Sequence, residues 1–279
     1  SSYINKILKR FNMKDANPVD SPVVVSHAEP REDPLDVSVP YREAVGSLMY
    51  AAVTSRVDIM YAVGKASRKC DKPTIDDWQD VKRIFRYLAD KQKLGIVYNP
   101  GSSEGFQAYC DADFAGDRPS MKSTTGLVIL YGGGPIHWTS ARQSLVTTSS
   151  TEAEVVSLCT TTKDVMWLRK LAKELDIIKD QPIPIYCDNQ SAIKIMTRKK
   201  STRRMRHVDT HAAYVLEQSE NKQISISHVK AENQLADMLT KATTVKKFVS
   251  NCSLLMKALM IMMIMFSVMT HAYVFDRVA

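Results

Sequence analysis

Four acidic residues stand in sequence settings that suit a site for divalent cations. Asp111 and Asp188 each end an apolar, strand-like run, whereas Glu154 and Asp237 lie on segments with helical character. A folded α/β domain can bring these residues together although they are far apart in the sequence. Clustered carboxylates repel one another strongly unless a cation lies between them. The pattern therefore predicts a metal site.

The predicted connections place two of these carboxylates side by side. If a strand at 183–188 returns parallel to a strand at 106–111, Asp188 and Asp111 meet at the carboxyl edge of the sheet, where open α/β sheets bind ligands. Mg²⁺ prefers oxygen ligands, and two such ions about 3.5–4 Å apart can clamp the attacking and leaving oxygens of a phosphodiester. This chemistry suits hydrolysis of a nucleic-acid backbone.

The glutamate of the site has two candidates. Glu152 and Glu154 point roughly 200° apart around a helix, so only one of them can face the metals. Glu152 lies three residues after Ser149, where it can complete a capping box. We favour Glu154, which lies deeper in the first turns, although the apolar periodicity does not decide between them.

His228 is a further candidate for the chemistry. It ends the run Ile224-Ser-Ile-Ser-His and is predicted to lie in a loop before the Asp237 helix. A mobile imidazole there can shuttle a proton near the leaving group. A lone histidine in a loop is more often simply solvated, so the residue type alone does not establish this role.

Composition bounds the class of protein. The 279 residues are 44% hydrophobic and 24% charged, which is a globular composition, and the net charge of +8 favours a polyanionic partner or a solubilising basic surface about equally. The five scattered cysteines argue against a disulfide framework or a zinc site and favour a reducing compartment. The start is not a secretory signal and has no initiator Met, as expected of a fragment or a processed product.

The elements fall into two regions with a boundary near residue 101. The first region is mainly helical: a helix at 3–11, a proline-rich linker at 17–40, two helices within 41–69, and a helix opened by a capping box at 74–77. The second is a mixed five-stranded sheet with helices packed on it. Its strands are predicted at 106–111, 124–131, 135–140, 183–188 and 223–229, and its helices at 150–175, 189–197, 207–218 and 232–250.

Several motifs resemble the ribonuclease H domain of copia-type retrotransposon polyproteins. They are Tyr109-Cys-Asp-Ala-Asp-Phe-Ala-Gly-Asp, Ser149-Ser-Thr-Glu-Ala-Glu, Cys187-Asp-Asn-Gln-Ser-Ala and Ala236-Asp-Met-Leu-Thr-Lys. The upstream motifs are similar to the end of the reverse transcriptase and its connection in the same polyprotein. These are Ile4-Asn-Lys-Ile-Leu-Lys-Arg-Phe, Pro40-Tyr-Arg-Glu-Ala-Val-Gly-Ser-Leu-Met-Tyr and Val81-Lys-Arg-Ile-Phe-Arg-Tyr-Leu.

The resemblance implies an α/β fold of the ribonuclease H type that cuts the RNA strand of an RNA/DNA hybrid with two Mg²⁺ or Mn²⁺ ions. Metal binding falls on Asp111, Glu154, Asp188 and Asp237, and the loop histidine of the family falls on His228. Contacts to the 2′-hydroxyl would select the RNA strand. Residues expected to bind the hybrid are Asn189, Gln190, Lys194, Arg198, Lys199, Lys200, Arg203, Arg204, Arg206 and Asn233.

The resemblance and the sequence pattern together imply a domain organisation and a setting, although the Met-rich end has no counterpart in the family. We expect a reverse-transcriptase-like helical region at 1–100, a ribonuclease H-like domain at 101–250 and a Met-rich apolar extension at 251–279. The apolar run of that extension is about a dozen residues, short of the roughly 20 that span a bilayer, so no membrane association is expected. The expected partners are an RNA/DNA hybrid and the polymerase core of the polyprotein, within a cytoplasmic virus-like particle or the nucleus. The oligomeric state is left open.

An inactive or domesticated fragment that binds nucleic acid or a protein partner is the alternative hypothesis. The chain lacks a Tyr-x-Asp-Asp polymerase motif, an Asp-Thr/Ser-Gly protease motif and an integrase-like zinc arrangement. It also departs from the family pattern at Val57, Val155 and Ala213, none of which is a metal ligand. Retention of all four carboxylates favours the enzyme. A transposase or integrase is disfavoured because its carboxylate spacing and zinc module are not seen.

Overall fold

The computed structural model describes residues 2–25, 33–99, 102, 104–178, 180–197 and 206–258. The described residues form two compact units. The first contains those up to Val97 and those from Cys252 onward, and the second is Tyr98–Asn251. The Met-rich extension lies outside the described residues from 259 onward, and the domain limits expected from the sequence stay predictions.

The first unit is mainly helical, as the sequence predicts. Its helices are α1 (Ser2–Arg10), α2 (Tyr41–Thr54), α3 (Met60–Ser67) and α4 (Ile75–Asp90), and the short strand β1 (Leu94–Gly95) follows. The Thr74–Asp77 capping box at the start of α4 is confirmed, with both reciprocal hydrogen bonds present. Buried apolar side chains from all four helices make its core, including Leu8, Leu48, Val63, Phe85 and Leu88.

A buried ion pair lies within the core of this unit. Arg56 Nη2 lies 2.7 Å from Asp58 Oδ2, and neither side chain is more than 3% exposed. The Tyr87 hydroxyl donates to the same carboxylate oxygen at 2.8 Å. The Arg56 Nη1 group donates to the carbonyl of Lys91 at 3.1 Å. These bonds satisfy charges that would otherwise be costly to bury.

The second unit is built on a five-stranded mixed sheet. Its strands are β2 (Gln107–Asp117), β3 (Lys122–Tyr131), β4 (Gly134–Arg142), β5 (Ile183–Cys187) and β6 (Ile224–His228), in the spatial order β4-β3-β2-β5-β6. The pairs β2–β3 and β3–β4 are antiparallel, and β2–β5 and β5–β6 are parallel. The predicted mixed five-stranded sheet, and the parallel return of the strand at 183–188 beside the strand at 106–111, are therefore confirmed.

Three described helices pack against the sheet and supply the rest of its core. They are α5 (Ser150–Glu174), α6 (Gln190–Met196) and α7 (Arg206–Glu220), and the helix α8 (Val245–Leu255) follows later in the chain. Apolar side chains of β2, β3, β5 and α5 pack in one buried cluster. It includes Cys110, Leu127, Ile185 and Leu158, each 0% exposed. Beyond α8, the strand β7 (Lys257–Ala258) pairs antiparallel with β1.

The predicted helix at 232–250 is wrong. The chain instead forms two 3-10 helices, Ala231–Asn233 and Leu235–Leu239, and α8 begins only at Val245. The buried Gln234 explains the change because its side-chain Nε2 donates to the Cys110 carbonyl at 2.9 Å and its Oε1 accepts from the Ala236 N–H at 3.2 Å. These bonds hold an extended backbone where a helix would continue.

Two smaller expectations also need correction. Asp111 lies in the middle of β2 and not at its end, because the strand continues through a register shift to Asp117. His228 is the last residue of β6 and not a loop residue. All five cysteines are free. No described helix is both long enough and apolar enough to cross a membrane.

Candidate metal centre

Asp111 is the central carboxylate of the site. Its position on β2 brings it between the antiparallel and the parallel halves of the sheet, and it is 2% exposed. The Thr240 hydroxyl donates to its Oδ2, and Lys241 Nζ lies 3.2 Å from the same oxygen. Burial raises the pKa of Asp111 to about 6 although Lys241 opposes that shift.

Asp237 is held against Asp111 by the 3-10 helix Leu235–Leu239, which we call the Asp237 turn. Lys241 Nζ lies 2.7 Å from Asp237 Oδ1, and Lys247 on α8 contacts the other carboxylate oxygen. Burial alone would raise the pKa of Asp237, but the two ammonium groups hold it below its ordinary value. Asp237 is therefore a buried carboxylate that already has two cationic partners.

Glu154, not Glu152, faces the other carboxylates. Ser149 caps α5 by accepting from the Glu152 N–H at 3.1 Å, and the Glu152 carboxylate accepts from Thr148, at 2.6 Å from its N–H and 2.7 Å from its hydroxyl. Glu154 is 6% exposed, and the nearby backbone N–H of Ala112 lowers its pKa without offsetting the effect of burial.

The second oxygen of Glu154 is not satisfied. Its Oε2 has no hydrogen-bond partner among the described residues. Burial raises the pKa of Glu154 to about 10, and the nearby Asp111, Cys187 and Asp188 add to this shift. A buried carboxylate oxygen without a donor is unfavourable unless a cation or a proton completes it.

Asp188 follows β5 and completes the second pair of carboxylates. The side chains of Glu154, Cys187 and Asp188 each offer one ligand atom, and these atoms all lie within 4.8 Å of one another. Asp188 is partly exposed, and burial followed by the charge of Asp237 raises its pKa. The group fits a divalent cation because it combines two carboxylates, and one oxygen of Glu154 lacks a hydrogen-bond donor among the described residues. The Cys187 sulfur is a softer ligand than Mg²⁺ prefers.

The four carboxylates thus form two pairs with different surroundings. The Asp111–Asp237 pair is compensated by Lys241 and Lys247. The Glu154–Asp188 pair has no ion pair with a described lysine or arginine. Coulomb attraction at short range is strong in a partly buried site. A divalent cation is therefore favoured at the second pair.

His228 lies at the same edge of the sheet as Asp188. It pairs in the ladder with Cys187, the residue before Asp188, and its side chain is exposed. The structure places it at the rim of the carboxylate cluster rather than inside it. The exposure is compatible with proton transfer, and the role of His228 stays a prediction.

The residues expected to bind nucleic acid are partly described. Asn189 caps α6 by accepting from the Ala192 N–H at 3.0 Å, Gln190 begins that helix, and Lys194 is exposed on it. Asn233 is exposed in the first 3-10 helix. Arg198, Lys199, Lys200, Arg203 and Arg204 lie outside the described residues. Arg206 begins α7, but its side chain is not described.

Four residues that surround the carboxylates were missed by sequence reasoning. They are Gln234, Thr240, Lys241 and Lys247. Lys241 lies four residues after Asp237, which is the usual spacing of an ion pair on one helical face and was a readable signal. Nothing local to Gln234, Thr240 or Lys247 in the sequence indicates their contacts, because those contacts depend on the fold of the segment after β6.

The strand order and the flanking helices give this domain a ribonuclease H-like α/β fold. No protein-family model matches the chain. Over 254 residues it is 36% identical to a retrovirus-related Pol polyprotein from transposon TNT 1-94 of Nicotiana tabacum, covering 88% of this chain and 19% of that protein. It is 38% identical to a Pol polyprotein from transposon RE2 of Arabidopsis thaliana, covering 86% of this chain and 16% of that protein.

A shorter relative matches as well. An uncharacterized mitochondrial protein of Arabidopsis thaliana is 34% identical, with 60% of this chain and 70% of that protein covered. The chain belongs to the retrovirus-related Pol polyproteins of copia-type transposons. It spans less than a fifth of the length of the two polyproteins above. Among solved structures it is similar to LC11-RNase H1 from compost, with 18% identity and a TM-score of 0.38 over 49% of this chain and 92% of that one.

Proposed function

We propose that the domain hydrolyses the RNA strand of RNA/DNA hybrids with the help of two Mg²⁺ or Mn²⁺ ions. The observation that carries the proposal is the buried Glu154 Oε2, which has no hydrogen-bond partner among the described residues and belongs to a group of ligand atoms with Asp188. A buried acid in that state is poorly explained as a structural residue. Membership of the Pol polyprotein family supports the same reaction class.

The roles of the residues follow from their surroundings. Asp111, Glu154, Asp188 and Asp237 would hold the ions. When bound, such ions lower the pKa of a water nucleophile and stabilise negative charge on the phosphate oxygens.

The other residues of the site act through position and charge. Thr240 fixes the orientation of Asp111 by donating to its Oδ2. His228, exposed at the rim, would carry a proton to or from the leaving oxygen. Lys194 would attract the phosphates of the hybrid, together with the basic residues around position 200.

Loss of activity with retention of binding is the alternative, and one observation favours it. Lys241 and Lys247 already neutralise the Asp111–Asp237 pair. If these lysines cannot be displaced, the domain would hold a hybrid without cutting it. Its partner would then be nucleic acid alone or the polymerase core of the polyprotein.

Cleavage of a labelled RNA/DNA hybrid by the full chain, with Mg²⁺ or Mn²⁺, tests the proposal. We expect hybrid-specific cutting that is lost in Asp188→Asn, since this change removes metal-binding charge at nearly constant volume. Asp176→Asn is the matched control because Asp176 is exposed and has a positive φ of 54°, which Asn tolerates. Hybrid binding without cutting would favour the inactive fragment, and equal activity in Asp188→Asn would refute the assigned site.

A further inference from the structure

Lys241 forms ion pairs with two of the four carboxylates. Its Nζ lies 2.7 Å from Asp237 Oδ1 and 3.2 Å from Asp111 Oδ2, so one ammonium group bridges two buried acids. Both carboxylates are 2% exposed, whereas the lysine side chain is 40% exposed. The charged end therefore sits in the site while much of its stem is open to solvent.

The surroundings of Lys241 leave little room for a second cation. Asp111 Oδ2 receives the Thr240 hydroxyl as well as Lys241, and the other oxygen of Asp237 contacts Lys247. A divalent ion between Asp111 and Asp237 would lie within a few ångströms of two ammonium groups. At that distance like charges repel strongly in a partly buried site. Binding of the lysine ammonium group and of a divalent ion to the Asp111–Asp237 pair at the same time is therefore unfavourable.

Lys241 differs from Lys247 in how readily it can leave. Lys247 lies on α8 and contacts Asp237. Its ammonium group also donates to the Ala231 carbonyl at 2.9 Å, so a second bond holds it in place. Lys241 follows the Asp237 turn, and within the described part of the chain its ammonium group bonds to the two carboxylates alone. A lysine side chain has several rotatable bonds, so it can swing towards solvent without moving the backbone.

We propose that Lys241 is an internal cation that occupies the Asp111–Asp237 half of the site and is displaced when a second divalent ion binds. The proposal rests on the function proposed above. It makes the two ion positions unequal: the Glu154–Asp188 half binds first and tightly, and the Asp111–Asp237 half binds later and weakly. Lys241 acts as a positioning residue because it keeps the two buried acids paired until then.

Calorimetric titration of the full chain with Mn²⁺ measures the two steps directly. We expect two binding events in the natural chain, the second weaker than the first. Lys241→Met removes the competing charge and keeps a side chain of similar length. The variant should bind the second Mn²⁺ ion with a roughly tenfold lower dissociation constant, within the usual range for coupled binding. Lys246→Met is the matched control, because Lys246 is exposed and its ammonium is not in the pairs with Asp111 or Asp237.

Thermal unfolding distinguishes displacement of Lys241 by a metal ion from a purely structural role of Lys241. Without divalent ions, Lys241→Met should unfold at a lower temperature because the two acids lose their bridge. With Mn²⁺ it should recover more stability than the natural chain does. A structural role alone would lower the unfolding temperature equally in both conditions. If Lys241→Met does not fold, Lys241→Gln keeps a donor without the charge and permits the same comparison.

Two further variants assign the binding events to the two halves of the site. Asp188→Asn should remove the tight event and Asp237→Asn the weak one. An unchanged second event in Lys241→Met, beside two events in the natural chain, overturns the role of Lys241 and leaves the proposed function standing. If the natural chain binds no Mn²⁺, the metal-dependent function itself fails, and the proposal for Lys241 fails with it.

Discussion

Asp111 on β2 is paired across the sheet with Gly126 on β3, so the residue opposite the central carboxylate has no side chain. The segment of the Asp237 turn fills that space. A Cβ added at Gly126 would lie 2.6 Å from Thr240 Cγ2, 2.9 Å from Leu239 Cβ and 3.0 Å from the Ala236 carbonyl oxygen. The glycine therefore allows the Asp237 turn to approach the strand that carries Asp111.

Gly126→Ala should weaken both the fold and the site. The added methyl group must push the Asp237 turn outward, which costs about 1–3 kcal/mol of unfolding free energy as overpacking. Hybrid cleavage should fall as well, because Asp237 and Thr240 move with that turn. Urea unfolding and a cleavage assay measure the two effects. Gly46→Ala on α2 is the control, since a Cβ there meets no atom within 4 Å and a helical Gly→Ala change stabilises by about 0.5–1 kcal/mol.

Thr240→Val should reduce activity more than it reduces stability. The change keeps the shape of the side chain but removes the hydroxyl that donates to Asp111. Loss of that donor frees the carboxylate to rotate and should lower cleavage by roughly tenfold, as for other residues that orient a metal ligand. Thr160→Val, whose hydroxyl bonds to the Val156 carbonyl within α5, is the comparison. Equal cleavage by the two variants would contradict an orienting role for Thr240.

The pH dependence of stability should reverse sign when divalent ions are added. Without them, Glu154 has a pKa of about 10 in the folded chain against an ordinary value of 4.5, so the folded state holds the extra proton. Its contribution to stability is complete below the ordinary pKa and is lost as pH rises towards about 10. The raised pKa values of Asp111 and Asp188 act in the same direction.

An ion at Glu154 must displace that proton, so the stabilisation by Mg²⁺ or Mn²⁺ should grow with pH. Unfolding temperatures with and without the ion, from about pH 5.5 to about pH 8.5, measure the trend. Glu154→Gln should flatten it, whereas Glu152→Gln should leave it intact because Glu152 bonds to Thr148 instead. A metal effect that is independent of pH in the natural chain would count against Glu154 as a ligand.

Asp58→Ala should strongly destabilise the first unit. Arg56 is 2% exposed and would lose its counter-charge. Breaking one side of a buried ion pair typically costs about 3–5 kcal/mol. Tyr87→Phe removes one hydrogen bond to the same carboxylate and should cost about 1–2 kcal/mol. Chemical denaturation of both variants measures the two losses of unfolding free energy. A smaller loss in Asp58→Ala than in Tyr87→Phe would contradict the prediction.

The sheet could be predicted because its strands are apolar runs with short or helical connections. The parallel return of β5 beside β2 follows from the long helix between them, and it places Asp188 near Asp111. The capping box at Thr74 was equally readable, since both of its hydrogen bonds are local. Periodicity and local motifs therefore gave the fold class and identified the four carboxylates as candidates.

The segment after β6 could not be predicted, because contacts distant in sequence decide its shape. Gln234 leaves the helical conformation to bond the Cys110 carbonyl, and no periodicity in the sequence encodes that bond. The choice between Glu152 and Glu154 was open for a related reason. It depends on whether the loop residue Thr148 turns back onto Glu152, as it does here.

The sheet is complete at His228, yet Asp237 comes after it, from a turn that belongs to no strand. A frameshift or stop codon between those two positions would leave all five strands in the translated product and remove one carboxylate with its two lysines. Copies of such an element truncated there would keep every strand but lose the buried Leu235, Ala236 and Leu239 of the Asp237 turn. Shortened relatives in a genome are best sorted by whether their reading frame extends past Lys247.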